Sequence, residues 1–267
     1  MLNQFLNNQI ALGSLQAFLA ALLALAVTGI ARWQEIHLEK EIVIALLRGL
    51  VQIVAVGSVL VLLLKGPNWT SVFILAGMIL AAASIAARRA QGIPGAFRVA
   101  LYGIVFGAGA TIALMTLVGV IDSSINSLIP VGSMIIANAM NTNGLALDRF
   151  RAEVEAHVGQ VEAGLSLGAA PSSVVTPYVR AAVRASLIPR IDSLRSLGIV
   201  WIPGLMAGMV LAGTDPVYAA IYQFVVIAMI FASSGLTSLM STLMIRGQIF
   251  TAAEQLMLRP KQGQAEA

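Results

Sequence analysis

The sequence predicts an all-α polytopic integral membrane protein with about seven transmembrane helices and one long helical loop in the cytosol. Of its 267 residues, 58% are hydrophobic and 10% are charged, whereas a soluble domain carries about 25% charged residues. Most of the chain consists of long apolar runs, and one long polar stretch, residues 138–204, interrupts them. These observations exclude a soluble globular protein.

Six apolar runs reach or approach the ~20 residues that a helix needs to cross the hydrocarbon core. They are residues 10–31, 42–64, 72–87, 99–121, 128–147 and 217–245. A seventh run, residues 197–212, is short and contains Pro203, but its flanks favour a crossing. Residues 1–9 lack the basic start of a secretory signal, so we expect the first run to be retained as a span.

The basic residues predict the orientation, because short cytoplasmic loops retain positive charge. Apart from Arg48 and Lys65, all of the 16 Lys and Arg residues follow the first, third and fifth spans or the last one. The loops that contain Asp122 and Asp215 have no basic residue. We therefore expect a multi-pass protein of the plasma (inner) membrane, with the N-terminus outside and the C-terminus in the cytosol.

The residues needed for several kinds of catalysis are missing. The chain has no cysteine, both histidines lie in predicted cytosolic segments, and no span has a carboxylate near its centre. This excludes a serine–histidine intramembrane protease and an HExxH zinc site. A glycine-rich phosphate loop is also absent. We expect a chain that is not an enzyme and holds no cofactor itself, with membrane lipid and not nucleic acid around its basic edges.

Polar residues inside two predicted spans are candidates for a translocation pathway. Counting from the cytosolic edge at 1.5 Å per residue, Arg48 and Asn141 lie ~9 Å deep and Gln52 and Asn138 ~15 Å deep. Such groups tend to face a bundle interior or a water-filled cavity. The alternative is that the amides bond between helices and that Arg48 reaches the interface. Met134 and Met140 are thioether candidates for a metal pathway, although core packing also explains them; the metal ligands stay unknown.

The halves of the chain show no repeat at a fixed period, which argues against a transporter built from inverted repeats. A central pathway would then lie between two copies of the chain, so we expect a homodimer. Two glycine pairs at four-residue spacing, Gly103 with Gly107 and Gly204 with Gly208, favour close helix approach. Packing within the chain and a dimer seam are both open for them.

The cytosolic segment, residues 148–196, is predicted to be helical. Val154, Val158, Val161 and Leu165 form an apolar stripe at helical spacing. Gly168 and Pro171 then predict a turn and a new helical start. Because a proline in a helix interior costs ~3 kcal/mol, we expect a break near Thr176 and a helix over residues 177–188.

Arg180 and Arg184 lie four residues apart on this last helix and share one face. The simpler interpretation is a basic helix that faces lipid headgroups. The alternative is a docking element for a cytosolic partner.

Three separated stretches resemble one family. They are LEKEIVIALLRGLVQIVAVGSVL, IIANAMNTNGLALDRF and the run from LSLGAAPSSVVTPYVRAAVRASLIPR to GTDPVYAAIYQ. Over nearly the whole chain the sequence is similar to the FetB-type (YbbM-like) iron-export ABC permeases, which have plant aluminium-tolerance relatives. Arg48, Gln52, Asn138, Gly144 and Leu145 lie at matching positions.

The resemblance implies that residues 1–267 form one permease domain of an ABC exporter for iron. A separate cytosolic ATPase subunit would bind ATP and Mg²⁺ and would contact a coupling segment, residues 148–196. There is also a partial echo of the ABC importer motif, with Glu162 and Ala163 followed by Gly168, although the closing proline comes late. Pro177 departs from the exporter pattern and leaves the shape of the coupling helix open. The candidate coupling residues are Glu162, Gly168, Arg180, Arg184, Pro189 and Asp192.

Two other functions stay open on the residues alone. One is an ABC permease for a polar organic cargo such as a nucleotide sugar. The other is a transporter or channel that needs no ATPase.

Overall fold

The computed structural model describes residues 9–35, 37, 39–64, 66–90, 92–251 and 253–258. In these residues the chain is helical, and its only β-type pairings are two isolated bridges, Leu197 with Trp201 and Phe250 with Leu256. The chain divides into two compact units, Met1–Gly66 and Pro67–Ala267. The all-α prediction is confirmed.

The first unit contains two long helices, α1 (Gln9–Trp33) and α2 (Glu39–Leu64). They pack against each other as a helical hairpin. At the connection, Arg32 Nε lies 3.6 Å from Glu39 Oε1. This ion pair joins the last turn of α1 to the first turn of α2.

The second unit is built around two long helices, α6 (Ile125–Ala156) and α11 (Pro216–Ile245), which pack against each other. Its other elements are α3 (Thr70–Arg89), α4 (Ala96–Ile104), a π-helical turn (Val105–Gly109), α5 (Ala110–Leu117), α7 (Val158–Ser166), α8 (Pro171–Val174), α9 (Thr176–Ser196) and α10 (Gly204–Leu211). Helices α3 and α9 pack on α6, while α4, the π turn, α9 and α10 pack on α11. Helix α9 therefore contacts both central helices.

Five stretches of the described chain are long and apolar enough to cross a membrane. They are α1, most of α2, α3, the continuous stretch Ala96–Leu117, and α11. Helix α6 is long enough at 32 residues but is too polar to be counted with them. The fifth predicted span, residues 128–147 within α6, and the seventh, residues 197–212, thus do not qualify on length and composition alone.

The predicted seventh span, residues 197–212, is wrong in its secondary structure. Only α10, with eight residues, is helical there, and eight residues rise ~12 Å. Gly198 has φ +77° and Pro203 is extended, so the chain between α9 and α10 cannot continue as a helix. Residues 197–212 therefore do not form a helix of bilayer-spanning length, although their composition is apolar.

The first glycine pair brings α4 and the π turn against α11. A Cβ added at Gly103 would lie 1.8 Å from Ser241 Oγ, and one added at Gly107 would lie 2.6 Å from the Ser233 backbone oxygen. This pair is used for packing within the chain. At Gly204 and Gly208 an added Cβ meets nothing within 4 Å, so the second pair has no such role in the described structure.

The start of α6 is fixed by polar contacts in the preceding loop. Asp122 accepts hydrogen bonds from the hydroxyl and the backbone amide of Ser124, at 2.7 and 3.3 Å. These bonds hold the pKa of Asp122 below its usual value. The Ile125 amide donates to Asn68 Oδ1 at 3.3 Å. One of the amides that a helix start leaves unpaired is thereby satisfied.

The segment after α6 folds back on it as the apolar stripe predicts. Val154 and Val161 are fully buried. His157 interrupts the helix between α6 and α7, and its ring stacks on Tyr178 at a centroid distance of 5.1 Å. Tyr178 also donates to Gln160 Oε1 at 3.2 Å. These contacts tie α7 to the beginning of α9.

The break near Thr176 is confirmed, since α8 ends at Val174 and α9 begins at Thr176. Pro177 lies in the first turn of α9, where a missing amide proton costs nothing. The predicted end at residue 188 is wrong, because α9 continues through Pro189 to Ser196. Contacts on both sides of Pro189 hold the helix together, as described below.

Candidate functional site

The predicted pathway residue Asn138 meets a residue from the supposed coupling segment. Asn138 lies on α6, where its Nδ2 donates to the Met134 backbone oxygen at 2.7 Å. This bond leaves its Oδ1 free, and Oδ1 accepts from Arg190 Nη1 of α9. The two residues are 52 positions apart in the sequence. The contact places Arg190 beside the middle of α6, ~20 Å along the helix from Ile125.

Arg190 and Asn138 line a cavity of about 300 Å³. Ser193 supplies its third polar side chain. The remaining lining is apolar and consists of Met134, Trp201 and three residues of α11. A volume near the lower end of the ~300–1,000 Å³ range of small-molecule sites, with few polar groups in an apolar wall, is typical of a binding pocket.

Arg190 is incompletely paired. Its Nε is buried and has no hydrogen-bond acceptor among the described residues. None of the ion pairs in the described chain includes it. Leaving a buried donor unpaired costs about 1–3 kcal/mol, and more for a charged group. The Nε of Arg190 is therefore a donor that a bound acceptor group could satisfy.

A row of buried hydroxyl groups runs along α11 and was missed by the sequence analysis. Its members are at most 1% exposed. They are Ser233, Ser234, Thr237, Ser238, Ser241 and Thr242. Their recurrence every three to four residues is the signal that could have revealed the face. The average hydropathy of the helix conceals it.

Some of these hydroxyls have partners and others do not. Ser238 shares a hydrogen bond of 2.8 Å with Ser186 of α9, and Thr242 donates to the Ser238 backbone oxygen at 2.7 Å. The hydroxyls of Ser234, Thr237 and Ser241 have no partner among the described residues. Ser186 and Arg190 lie one turn apart on α9, on opposite sides of Pro189. Ser186 bonds to α11 and Arg190 bonds to α6.

Gln223, in the first half of α11, is a further buried amide that the sequence analysis missed. It is 1% exposed, and its Oε1 accepts from the Met206 amide in the first turn of α10 at 3.3 Å. Its Nε2 has no partner among the described residues. This amide attaches the short helix α10 to α11.

The other predicted pathway residues do not line this cavity. Asn141 is exposed and does not line the cavity, and Met140 packs against the apolar core. Arg48 and Gln52 lie one turn apart on α2, as predicted, whereas every cavity-lining residue belongs to the second unit. Of the six pathway candidates, the cavity brings together Met134 and Asn138.

Asn143, two residues after Asn141 on α6, has a structural role. It is fully buried, and its Nδ2 donates to the Ala100 backbone oxygen at 3.1 Å. This bond ties α6 to α4 across 43 residues of sequence.

The candidate coupling residues near α7 are accessible. Glu162 is exposed and lines an open groove of about 590 Å³ between α7 and residues 251 and 253–256. Gly168 ends this region with φ +82°, a conformation that favours glycine. A carboxylate on each wall, from Glu162 and Glu254, makes the groove acidic.

The remaining coupling candidates all lie on α9. Arg180 and Arg184 are exposed, and Pro189 and Asp192 are exposed near the other end. Asp192 Oδ1 lies 3.8 Å from Arg195 Nη1. Arg184 and the cavity residue Arg190 are ~9 Å apart along the same helix. One rigid element thus carries both the exposed basic pair and the arginine of the cavity.

The donor set around the cavity does not resemble a metal cage. In the part of the chain that the structure describes, no three His, Cys, Asp or Glu side chains come together. A cation on the pathway would meet an amide, a hydroxyl and a thioether beside the charged Arg190.

Comparison with known proteins gives one family. Residues 14–250 match the model of the uncharacterised protein family UPF0014. The chain is 31% identical over 241 residues to the "Probable iron export permease protein FetB" of Escherichia coli, which covers 90% of this chain and 93% of that protein. No solved structure matches the present chain.

Two plant proteins are similar to the same extent. The "UPF0014 membrane protein STAR2" of Oryza sativa is 32% identical over 225 residues, covering 84% of this chain and 79% of that protein. The "Protein ALUMINUM SENSITIVE 3" of Arabidopsis thaliana is 31% identical over 225 residues, with 84% and 82% covered. The family resemblance predicted from the sequence motifs is confirmed, and with the five apolar stretches it supports a multi-pass membrane protein.

Proposed function

Because the chain belongs to the UPF0014 family of membrane proteins, we propose that it is the permease subunit of an ABC-type exporter for iron, powered by a separate ATPase. The observation that carries this proposal is the similarity to a probable iron export permease over 90% of the chain. The ATPase subunit binds ATP and Mg²⁺, and the permease provides the path through the membrane.

The proposed location is the plasma (inner) membrane, with the N-terminus outside and the C-terminus in the cytosol. The distribution of basic residues supports this orientation. It places α7, α8 and the first half of α9 in the cytosol, where an ATPase can reach them.

The proposed coupling element extends from Glu162 to Arg184. Closure of the ATPase dimer pushes on this element, and α9 carries the displacement towards the cavity. Two observations support α9 in this role. Tyr178 and His157 attach its beginning to α7, and Arg190 attaches its other end to Asn138. A continuous helix between these attachments transmits movement as a rigid rod.

Two copies of the permease would work with two copies of the ATPase. The second glycine pair, Gly204 with Gly208, supports a dimer because these positions have open space where a Cβ would point. Glycines at this spacing allow another helix to approach closely in a membrane.

Purification of the chain together with its ATPase tests the coupling element. The double variant Arg180→Glu with Arg184→Glu should lose assembly and the stimulation of ATP hydrolysis. The matched control reverses two other exposed arginines, Arg88→Glu with Arg98→Glu, and should keep both. Normal assembly and stimulation of the first variant would refute a docking role for α9.

The cargo is tested separately in cells that lack the chain. An iron exporter predicts excess cellular iron and sensitivity to iron with peroxide. Normal iron content in such cells, together with loss of nucleotide-sugar export, would favour the polar organic cargo. Iron export that continues when no ATPase gene lies next to this gene would instead favour a transporter or channel that needs no ATPase.

A further inference from the structure

The charge of the cavity restricts the form of the cargo. Among the described residues that line it, Arg190 alone is charged. Asn138, its one bonded partner, is neutral. In surroundings of low dielectric constant, an uncompensated positive charge strongly repels a bare metal cation and attracts an anion.

The guanidinium also keeps a donor that has no partner among the described residues. Nη1 donates to Asn138, and Nδ2 of Asn138 is in turn held by the Met134 carbonyl. The opposite edge of the planar group carries Nε and Nη2 as two parallel donors, and Nε has no acceptor among the described residues. Paired donors of this kind match the two oxygens of a carboxylate or a phosphate. Asn138 is thus a positioning residue for Arg190.

The cavity has room for a compact anionic group. Its volume of about 300 Å³ corresponds to roughly ten water molecules at ~30 Å³ each. A small polycarboxylate or a phosphate-bearing group has this size. The apolar part of the wall, which includes Trp201, lowers the local dielectric constant and so strengthens the attraction.

We propose that Arg190 and Asn138 form an anion-binding site that takes a carboxylate or phosphate of the cargo. If iron is the metal exported, it then passes this point as an anionic chelate and not as a bare cation. This inference rests on the proposed transport function but concerns a separate property, which binding measurements address without the ATPase.

The test uses the full chain in nanodiscs of phosphatidylcholine, with binding measured calorimetrically. The probes are citrate, inorganic phosphate, ferric citrate and anaerobic Fe²⁺ without a chelator. We expect saturable binding of ferric citrate and of at least one free anion, and no binding of Fe²⁺ alone. Arg190→Gln should weaken anion binding about 10- to 100-fold, as expected for the loss of charge-assisted hydrogen bonds.

The matched control is Arg195→Gln, which changes an exposed arginine of the same helix and should alter the affinity less than about twofold. Asn138→Asp keeps the size of the side chain but places a carboxylate beside Arg190. It should abolish anion binding while the chain stays folded, so the test does not depend on the stability of Arg190→Gln. Anion binding that persists in both variants overturns the proposal, as does binding of Fe²⁺ alone.

Nanodiscs that contain phosphatidylglycerol separate a soluble anion from a lipid phosphate. Citrate binding that is unchanged by this lipid supports a cargo site, whereas loss of citrate binding means that Arg190 holds a lipid headgroup and overturns it. Stimulation of the ATPase without anion binding would refute this inference and leave the proposed function intact. Anion binding without any assembly with an ATPase would do the reverse.

Discussion

Replacing Gly107 with alanine tests the close packing of the π turn on α11. The new Cβ would lie 1.9 Å from Thr237 Oγ1, 2.6 Å from the Ser233 backbone oxygen and 2.7 Å from the Thr237 backbone nitrogen. A hydroxyl can rotate away, but backbone atoms move only if α11 moves. Overpacking of this kind costs about 1–3 kcal/mol. We therefore expect a lower free energy of unfolding in detergent micelles.

Gly77→Ala on α3 is the matched control, because its added Cβ meets nothing within 4 Å. It should be neutral or stabilising by up to about 1 kcal/mol, the gain in helix propensity from glycine to alanine. Gly103→Ala should fall between the two, since its closest contact is the Ser241 hydroxyl at 1.8 Å. The packing would be refuted by equal stabilities of the Gly107→Ala and Gly77→Ala proteins.

Three further changes probe single contacts. Asp215→Ala removes the cap whose Oδ1 accepts from two amides at 2.9 Å, so thermal unfolding should show a loss of ~1 kcal/mol; an unchanged Tm contradicts the cap. Ser186→Ala removes the bond to Ser238 and should cost about 0.5–1.5 kcal/mol in denaturant titration, with no further loss when Ser238→Ala is added. Tyr178→Phe breaks the bond to Gln160 and should speed proteolysis between α7 and α9; unchanged cleavage argues against that attachment.

Much of the fold follows from the sequence because hydrophobic length and helical periodicity are local properties. The apolar stripe of Val154 and Val161 was recognised from its spacing and is buried. The break before Thr176 followed from proline chemistry. Residues 197–212 were misjudged because composition does not reveal the positive φ of Gly198.

The length of α9 shows where local rules fail. A proline inside a helix costs ~3 kcal/mol, so an end before Pro189 was expected. The structure instead holds both sides of Pro189, through Ser186 with Ser238 and Arg190 with Asn138. Tertiary contacts of this kind join residues 52 positions apart and are invisible to periodicity.

The candidate site was predicted only in part, because local spacing reveals the residues of one helix but not the residues that pack against it. Asn138 and Met134 stood out because amides and thioethers in an apolar span share a helical face. Arg190 was counted among the basic residues of a loop, and its place in the cavity depends on the packing of α9 against α6. The predicted roles of the exposed residues Glu162, Arg180 and Arg184 stay predictions, because the structure of a single chain does not identify the surface that binds a partner.

ATP-dependent iron transport in proteoliposomes tests the proposed export function most directly. The chain is reconstituted with its ATPase so that the ATP-binding side faces the medium, and radiolabelled ferric citrate is added outside with ATP and Mg²⁺. We expect iron to accumulate inside only when both subunits and hydrolysable ATP are present. Iron movement at the same rate without ATP or without the ATPase, or no movement in the complete system, would contradict it.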